Sequence, residues 1–416
     1  MKHSKSTHGS WIEDAASMAP FFMAIVSGGD RWMYVASTGG LTAGRRDPDG
    51  ALFPYETDDR LCAADGTVGP RTIAWIERSG SKAARWEPFL RAADGLQRTH
   101  RRIWKSDLGD EVLFEERNDD LAATFRYSWR SGARFGFVRE AELRNDGASP
   151  MRVRMLDGLL GVMPACVDRG MQAGYSNLVD AYKLTERGPC AGLAVYRLSS
   201  IPSDRAKPNE ALLANCAWVR GLPGASLLVS ARQLRAFRLG QPVVAEEVVR
   251  GSAGALLAHA TFELAPGASM RWTMGVDGRF DAAQLIAFAD ALGQGEAMSD
   301  ALANAIAADL DADRQRLVRH LAAVDGLQAT GDSRADARHL ANALFNTMRG
   351  GVFLDDGRIR IADFARFLRE TAPAVASRCD VSDWADMSSR RDLVARAEAS
   401  GDADLERLAR EYLPLT

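Results

Sequence analysis

The part of the chain with the chemistry to bind a ligand is a turn-rich segment, residues 37–60, which follows a strand-like run of apolar side chains. It combines glycines, arginines, aromatic rings and acidic residues in a short length. Such a loop is too polar for a core and too rich in aromatic residues for a passive linker. Because binding residues concentrate on loops that a rigid scaffold holds in place, we expect a ligand site here.

The candidate substrate-binding residues of this segment are Arg45, Arg46, Tyr55, Asp58 and Asp59. Guanidinium groups bind phosphate and carboxylate through paired hydrogen bonds, which favours a loop that faces a sugar or a phosphate. The alternative is that one of the two arginines pairs with one of the two aspartates and only fastens the loop. The sequence leaves both interpretations open.

Two tryptophans, Trp86 and Trp104, are further candidates for substrate binding, because indole rings stack on sugar rings. They lie in polar, irregular stretches, which favours their exposure. Trp129 and Trp272 instead alternate with polar residues, as core residues of strands do. Packing in a core or an interface explains Trp86 and Trp104 equally well, so this alternative also stays open.

Acidic pairs are the next candidates, because glycoside cleavage uses two carboxyl groups, or one carboxyl group with phosphate as the nucleophile. Adjacent acids on a strand point to opposite faces, so Glu115 and Glu116 cannot act on one substrate. The pairs Asp119-Asp120 and Asp355-Asp356 lie in turns. The catalytic residues therefore stay unknown at this point.

An aldose epimerase is a further alternative, and it would need a histidine acid and a glutamate base. The histidines of the strand-rich region are His100 and His259. His259 lies in an alternating strand pattern, where a packed sheet histidine is the commoner interpretation. The sequence therefore gives this function little support.

Composition and charge exclude several classes of protein. The chain is 46% hydrophobic and 26% charged, with a formal net charge of -3, as in ordinary globular proteins. No basic block indicates nucleic-acid binding, and no apolar run is long enough to span a membrane. The five cysteines show no CxxC spacing, which argues against a zinc site and indicates reduced thiols in the cytoplasm. We expect no metal and no bound cofactor.

Patterning divides the chain into four parts. Residues 1–18 are polar and are expected to be disordered, and residues 19–278 show short alternating segments separated by turns, which predict one large antiparallel β-sandwich. Residues 279–331 predict a helical linker. Residues 332–416 predict further helices whose apolar side chains, such as those of Leu344, Phe345 and Phe364, stay exposed.

The order of sandwich, helical linker and further helices resembles the N-terminal part of cellobiose-phosphorylase-like proteins of glycoside hydrolase family 94. The stretches that carry the resemblance are residues 37–60, 135–139, 156–159, 343–351 and 411–416. The resemblance implies a β plus α multidomain fold. It would consist of a galactose-mutarotase-like β-supersandwich, a linker and the first helices of an incomplete (α/α)6, six-hairpin-type barrel.

The resemblance also implies an activity, which would be inverting glycoside phosphorolysis or hydrolysis, with inorganic phosphate as a co-substrate in the first case. The catalytic acid of such enzymes lies in a part of the barrel beyond residue 416, so we expect no turnover by this chain alone. The implied partners are an oligosaccharide or disaccharide and either a second copy of the chain or a catalytic barrel polypeptide. The alternative is a stand-alone carbohydrate-binding or scaffold protein.

Overall fold

The computed structural model describes residues 8–64, 66–203, 210–323, 326–329, 331–348 and 358–414. The side chains of residues 58, 59, 176, 177, 347 and 348 are outside this description. The chain forms two compact units, one of Met1–Ser27 with Arg31–Asp313 and the other of Gly28–Asp30 with Arg314–Thr416. The division falls later than the predicted end of the sandwich at residue 278.

The elements follow the predicted order of strands first and helices second. The strands are β1 (Gly9–Ile12), β2 (Phe22–Val26), β3 (Arg31–Ala36), β4 (Leu41–Arg45), β5 (Gly69–Arg78), β6 (Ala84–Trp86), β7 (Thr99–Ser106), β8 (Val112–Asn118), β9 (Ala123–Gly132), β10 (Gly136–Asn145), β11 (Met151–Val162), β12 (Lys183–Arg187), β13 (Leu193–Leu198), β14 (Ala214–Arg220), β15 (Ser226–Leu228), β16 (Val248–Arg250), β17 (Gly254–Leu264), β18 (Ser269–Phe280), β19 (Ile359–Arg360) and β20 (Met387–Ser388). The helices are α1 (Asp58–Ala63), α2 (Arg169–Tyr182), α3 (Leu234–Arg238), α4 (Ala282–Leu292), α5 (Asp300–Ala323), α6 (Ser333–Met348), α7 (Ile361–Thr371), α8 (Pro373–Arg378), α9 (Arg390–Ala399) and α10 (Ala403–Glu411).

The first unit is built on antiparallel sheets, as the alternating sequence predicts. Ten strands form a large sheet in the order β1-β7-β8-β9-β10-β18-β14-β13-β12-β16. Five strands form a second sheet in the order β15-β17-β11-β5-β6, and β2-β3-β4 form a third. The inner faces of the first two sheets share one hydrophobic core. The supersandwich type that the resemblance implies stays a prediction.

Strand β9 shows how the alternation works. Phe125, Tyr127 and Trp129 point into the core and are at most 2% exposed. The other face carries Arg126 and Ser128, and the sequence predicts it to be wet. Instead, Ser128 is 1% exposed.

In the part of the chain up to residue 313, helices α4 and α5 cover part of the outer face of the large sheet. Phe288 of α4 and Ile306 of α5 pack with Phe135 and Trp218 of the sheet region. Helix α4 begins at the predicted place because Asp281 caps it and forms a reciprocal capping box with Gln284.

The N-terminal segment departs from the sequence prediction. Residues 9–12, predicted to be disordered, form β1 and pair with β7. An edge strand presents unpaired backbone N–H and C=O groups, and a further strand that pairs with it supplies their hydrogen-bond partners. Residues 1–7 are outside the described residues.

The second unit has a hydrophobic core of its own. Ile361, Phe364 and Leu368 of α7 pack with Leu393 of α9 and with residues of α10. Phe364 is therefore buried rather than exposed as predicted, whereas Phe345 is 42% exposed and Leu344 is half-buried. The predicted acidic turn at Asp355-Asp356 is outside the described residues, and the identification of these helices as the start of a barrel stays a prediction.

Among the described residues, no helix has the length and apolar character to cross a bilayer. Within the same residues, no group of three or more histidine, cysteine or acidic side chains is arranged to hold a metal ion.

Candidate functional site

Much of the predicted binding loop is buried. Residues 38–44 and 50–53 lie in the interior, because β4 pairs with β3 and the side chains of Leu52 and Phe53 enter the core. Gly44 passes so close to the Trp32 indole that a Cβ atom would lie 2.5 Å from the ring. The prediction that this loop is too polar for a core is wrong for residues 38–44 and 50–53, whereas residues 45–49, 54–57 and 60 are half-buried or exposed.

A buried ion pair anchors β3, the strand that precedes this segment, to the large sheet. The Arg31 guanidinium lies 2.5 Å from an Asp277 carboxylate oxygen, with the two side chains 4% and 2% exposed. Arg31 also donates to the Ala133 carbonyl at 3.0 Å. Buried charges persist only when paired in this way, so the pair fixes β3 against the end of β18.

Arg45 approaches the same carboxylate, that of Asp277, from the side of the surface. Its Nη1 atom donates to the Gly278 carbonyl at 3.3 Å and lies 4.0 Å from Asp277 Oδ1. The side chain is 28% exposed, so part of the guanidinium faces solvent. The structure thus gives Arg45 a fastening contact, with Asp277, and an exposed edge as well.

Tyr55 packs between an indole and a guanidinium. Its ring meets the Trp32 ring edge-on at 5.5 Å between centroids, and the Arg169 guanidinium lies 5.7 Å from its centroid. The Arg169 backbone N–H donates to Asp49 Oδ1 at 2.9 Å. These contacts join the loop to the start of α2.

Arg169 and α2 were missed in the sequence. A signal was present, because Asp168 precedes apolar residues at helical spacing and caps the helix through the Met171 N–H at 2.6 Å. The apolar residues of α2 and its neighbours form a small separate core. The sequence offers no pattern, however, that places Arg169 beside Tyr55.

Arg45, Tyr55 and Arg169 are neighbours, because Gly44 and Tyr55 both contact the Trp32 indole and the Arg169 guanidinium lies over Tyr55. We call these three residues the arginine patch. Arg46 adjoins Arg45 in the chain, and Arg279 follows Gly278, whose carbonyl Arg45 contacts. Arg46 and Arg279 are exposed and have left-handed backbones, with φ of 61° and 66°. Such conformations cost about 1–3 kcal/mol for residues other than glycine and persist only where the surroundings hold them. Guanidinium groups presented in this way suit a ligand rich in phosphate or hydroxyl oxygens.

Two predicted residues of the loop, Asp58 and Asp59, begin α1. Their side chains are outside the described part of the structure, so their binding role stays a prediction.

The tryptophan predictions need correction. Trp86 is 2% exposed in β6 and donates its indole N–H to Glu116 at 2.7 Å. Trp104 is 6% exposed in β7, where the Gly9 backbone lies against its ring. Both indoles are therefore buried rather than exposed, because Trp104 lies on a strand that pairs with β1 and β8, and Trp86, on the edge strand β6, packs into the shared core.

The Glu115-Glu116 pair behaves as the sequence predicts. Glu116 points inward and also accepts from the Phe89 N–H at 2.7 Å and Arg101 Nε at 2.5 Å. Glu115 points outward and pairs with Arg102 at 2.7 Å. The two carboxylates therefore cannot meet on one substrate.

Asp119, from the Asp119-Asp120 pair, and the histidines His100 and His259 make contacts with neighbouring side chains. Asp119 accepts from Arg117 at 2.8 Å and lies 2.9 Å from His100. Burial raises the Asp119 pKa, but these hydrogen bonds outweigh it and leave the pKa below its usual value. His259 lies 3.3 Å from Ser226 and packs against Phe237. His100 is in the large sheet and His259 in the five-stranded sheet.

Comparison with known proteins gives structural neighbours only. No family model and no curated protein matches the chain. A putative kojibiose phosphorylase from human microbiome has a TM-score of 0.41 at 8% identity, covering 84% of this chain and 48% of its own. A family GH92 alpha-mannosidase from Bacteroides thetaiotaomicron has a TM-score of 0.38 at 9% identity, covering 82% and 40%.

A putative aldose 1-epimerase from Klebsiella pneumoniae has a TM-score of 0.27 at 11% identity, covering 70% of this chain and 92% of its own. These neighbours are carbohydrate-active enzymes by name. The chain spans less than half the length of the phosphorylase and of the mannosidase.

Proposed function

We propose that this chain is a carbohydrate-active protein that resembles the cellobiose-phosphorylase-like members of glycoside hydrolase family 94. The arginine patch would bind the saccharide, with inorganic phosphate as a co-substrate if the reaction is phosphorolysis. The observation that carries the proposal is that Arg169 lies over Tyr55, while Tyr55 and Gly44, the neighbour of Arg45, contact the same Trp32 indole. Residues 37–60, where part of the sequence resemblance lies, supply two of the three residues of the patch.

The chemistry of the patch is that of binding rather than of bond cleavage. Of the carboxyl groups beside the patch, Asp277 is 2% exposed and ion-paired with Arg31, so a substrate has no access to it, and Asp49 accepts from the Arg169 backbone N–H. Guanidinium groups and a tyrosine ring can orient sugar hydroxyls and a phosphate. We therefore propose that a catalytic acid, where cleavage occurs, comes from other residues or another polypeptide.

The test is calorimetric titration of the purified chain with β-linked glucose and glucosamine disaccharides, with and without inorganic phosphate. Arg45→Ala and Arg169→Ala should each weaken binding by about ten-fold or more, since hydrogen bonds to charged groups contribute about 1.5–3 kcal/mol. Arg187→Ala is the matched control, because Arg187 is ion-paired with the exposed Glu247 and is not a residue of the patch.

Unchanged affinity in both patch variants would contradict the proposal, as would the absence of saccharide binding. A second assay distinguishes a phosphorylase from the alternative, a stand-alone carbohydrate-binding or scaffold protein. Phosphate consumption with any of these disaccharides supports the phosphorylase, and binding without turnover supports the binding protein.

A further inference from the structure

A second potential site lies along the edge of the large sheet, where β1, β7 and β8 run side by side. An open groove of about 690 Å³ is lined there by the turn at Glu13 and Asp14 and by residues of β7 and β8. We call it the polar groove. It shares no residue with the arginine patch.

The turn that borders the groove is held in a fixed place. Asp14 has a left-handed backbone, with φ of 53°, and its carbonyl accepts from the Ser17 N–H at 3.0 Å and the Ser17 hydroxyl at 2.9 Å. The Ala15 N–H donates to the Arg101 carbonyl of β7 at 3.0 Å. The Glu13 and Asp14 side chains are thus presented beside the strands, on a backbone whose strain the surroundings maintain.

The groove carries charges of both signs. It is lined by the carboxylates of Glu13, Asp14 and Glu115 and by the guanidinium groups of Arg102 and Arg117, whereas the Arg101 guanidinium turns inward to Glu116. Arg102 lies 2.7 Å from Glu115 and 3.7 Å from Glu13, so donors and acceptors alternate along the surface. Such a surface has no excess of positive charge that would attract a phosphate or a nucleic acid.

An aromatic ring lies next to these charges. Trp11 of β1 is 37% exposed, and the Arg102 guanidinium lies 4.1 Å from its ring centroid. A partly exposed indole offers apolar surface beside polar groups, which matches the mixed surface of a sugar ring.

We propose that the polar groove binds a short neutral oligosaccharide. Each sugar hydroxyl both donates and accepts, so it can satisfy carboxylates and guanidinium groups at once, while the C–H face of a ring packs on Trp11. This inference rests on the proposed carbohydrate function, but it adds a binding site separate from the arginine patch.

The experiment uses the full chain carrying Arg45→Ala and Arg169→Ala, titrated with cellotriose, xylotriose and maltotriose and, as an anionic probe, trigalacturonate. At least one neutral trisaccharide should bind. Adding Trp11→Ala or Glu13→Ala should weaken that binding by about ten-fold. Glu77→Gln, on an exposed residue of β5 outside the groove, is the matched control and should change nothing. Thermal unfolding of each variant verifies that it is folded, and Glu13 is 67% exposed, so its variant retains the fold.

The outcomes separate the two proposals. If the patch variant loses all saccharide binding, the groove proposal fails while the patch proposal stands. If binding persists and is unaffected by Trp11→Ala and Glu13→Ala, or if only trigalacturonate binds, the groove proposal also fails. Binding by the wild-type chain that depends on Trp11 and Glu13 but not on Arg45 and Arg169 supports the groove and contradicts the patch.

Discussion

Arg139 and Asp157 form a two-pronged ion pair between the two main sheets, with nitrogen–oxygen distances of 2.7 and 3.1 Å and no exposure of either side chain. Thr72 and Trp272 also donate to the Asp157 carboxylate, at 2.5 and 2.6 Å. Arg139 and Asp157 both lie in stretches that carry the sequence resemblance. In this structure those two side chains hold the sheets together rather than face a ligand.

Removal of the Asp157 charge is therefore expected to destabilise the first unit. Asp157→Asn leaves Arg139 buried with an uncompensated charge, which costs about 3–5 kcal/mol when one partner of a buried pair is lost. Urea unfolding monitored by circular dichroism measures the change in the free energy of unfolding.

The control for this variant is Arg187→Ala, which breaks the surface pair with Glu247 and should cost less than about 1 kcal/mol. Equal stability of Asp157→Asn and the wild type would show that the pair does not stabilise the fold.

Trp86 is expected to act in stability rather than in binding. Trp86→Phe removes the hydrogen bond from the indole N–H to Glu116 while it keeps an aromatic ring, and a lost partner at a buried carboxylate costs about 1–3 kcal/mol. The measurement pairs thermal unfolding with saccharide titration. A variant with normal stability and weakened saccharide binding would restore the prediction that Trp86 contacts substrate.

We expect Glu142 to contribute to the loss of stability of the first unit at acidic pH. Partial burial raises its pKa, but ion pairs with Arg126 at 2.6 Å and Arg271 at 3.2 Å outweigh this and lower the pKa from 4.5 to about 2. A depressed carboxyl pKa contributes stability above the unfolded value, and that contribution is lost as the pH falls from 4.5 towards 2.

Glu142→Gln should therefore be less stable than the wild type near neutral pH, and the difference should shrink as the pH falls through this window. Urea unfolding across that range provides the measurement. A stability difference that is independent of pH would contradict the ion-pair explanation.

We expect His259 to make the stability of the fold depend on pH closer to neutrality. Burial and, secondly, the positive charge of Arg154 lower its pKa below 6.5, so the folded protein binds the proton less readily than the unfolded chain. The stability that neutral His259 provides is present above pH 6.5 and declines as the pH falls below this value.

His259→Gln should consequently flatten the loss of stability on acidification from about pH 7.5 to about pH 5. Unfolding at several pH values, with NMR titration of the histidine ring, tests this. A ring pKa at or above that of a free histidine would refute it.

Much of the element order was predictable because local patterns decide it. The period of two in β9 and the capping residue Asp281 before α4 act within a few residues of sequence, and the structure has both elements there. The strand-to-helix transition near residue 280 follows from the same local signals. Helix α2 was missed although its cap and apolar spacing were present.

Only the tertiary structure decided which distant side chains contact each other and which side chains are buried. The sequence by itself determined the residue types at Arg45, Tyr55 and Trp86 and the opposite directions of Glu115 and Glu116. It could not place Arg169 against Tyr55 or cover Trp86, because both depend on contacts between segments far apart in the chain. Burial is a property of the packed sheets, whereas periodicity is a property of the chain.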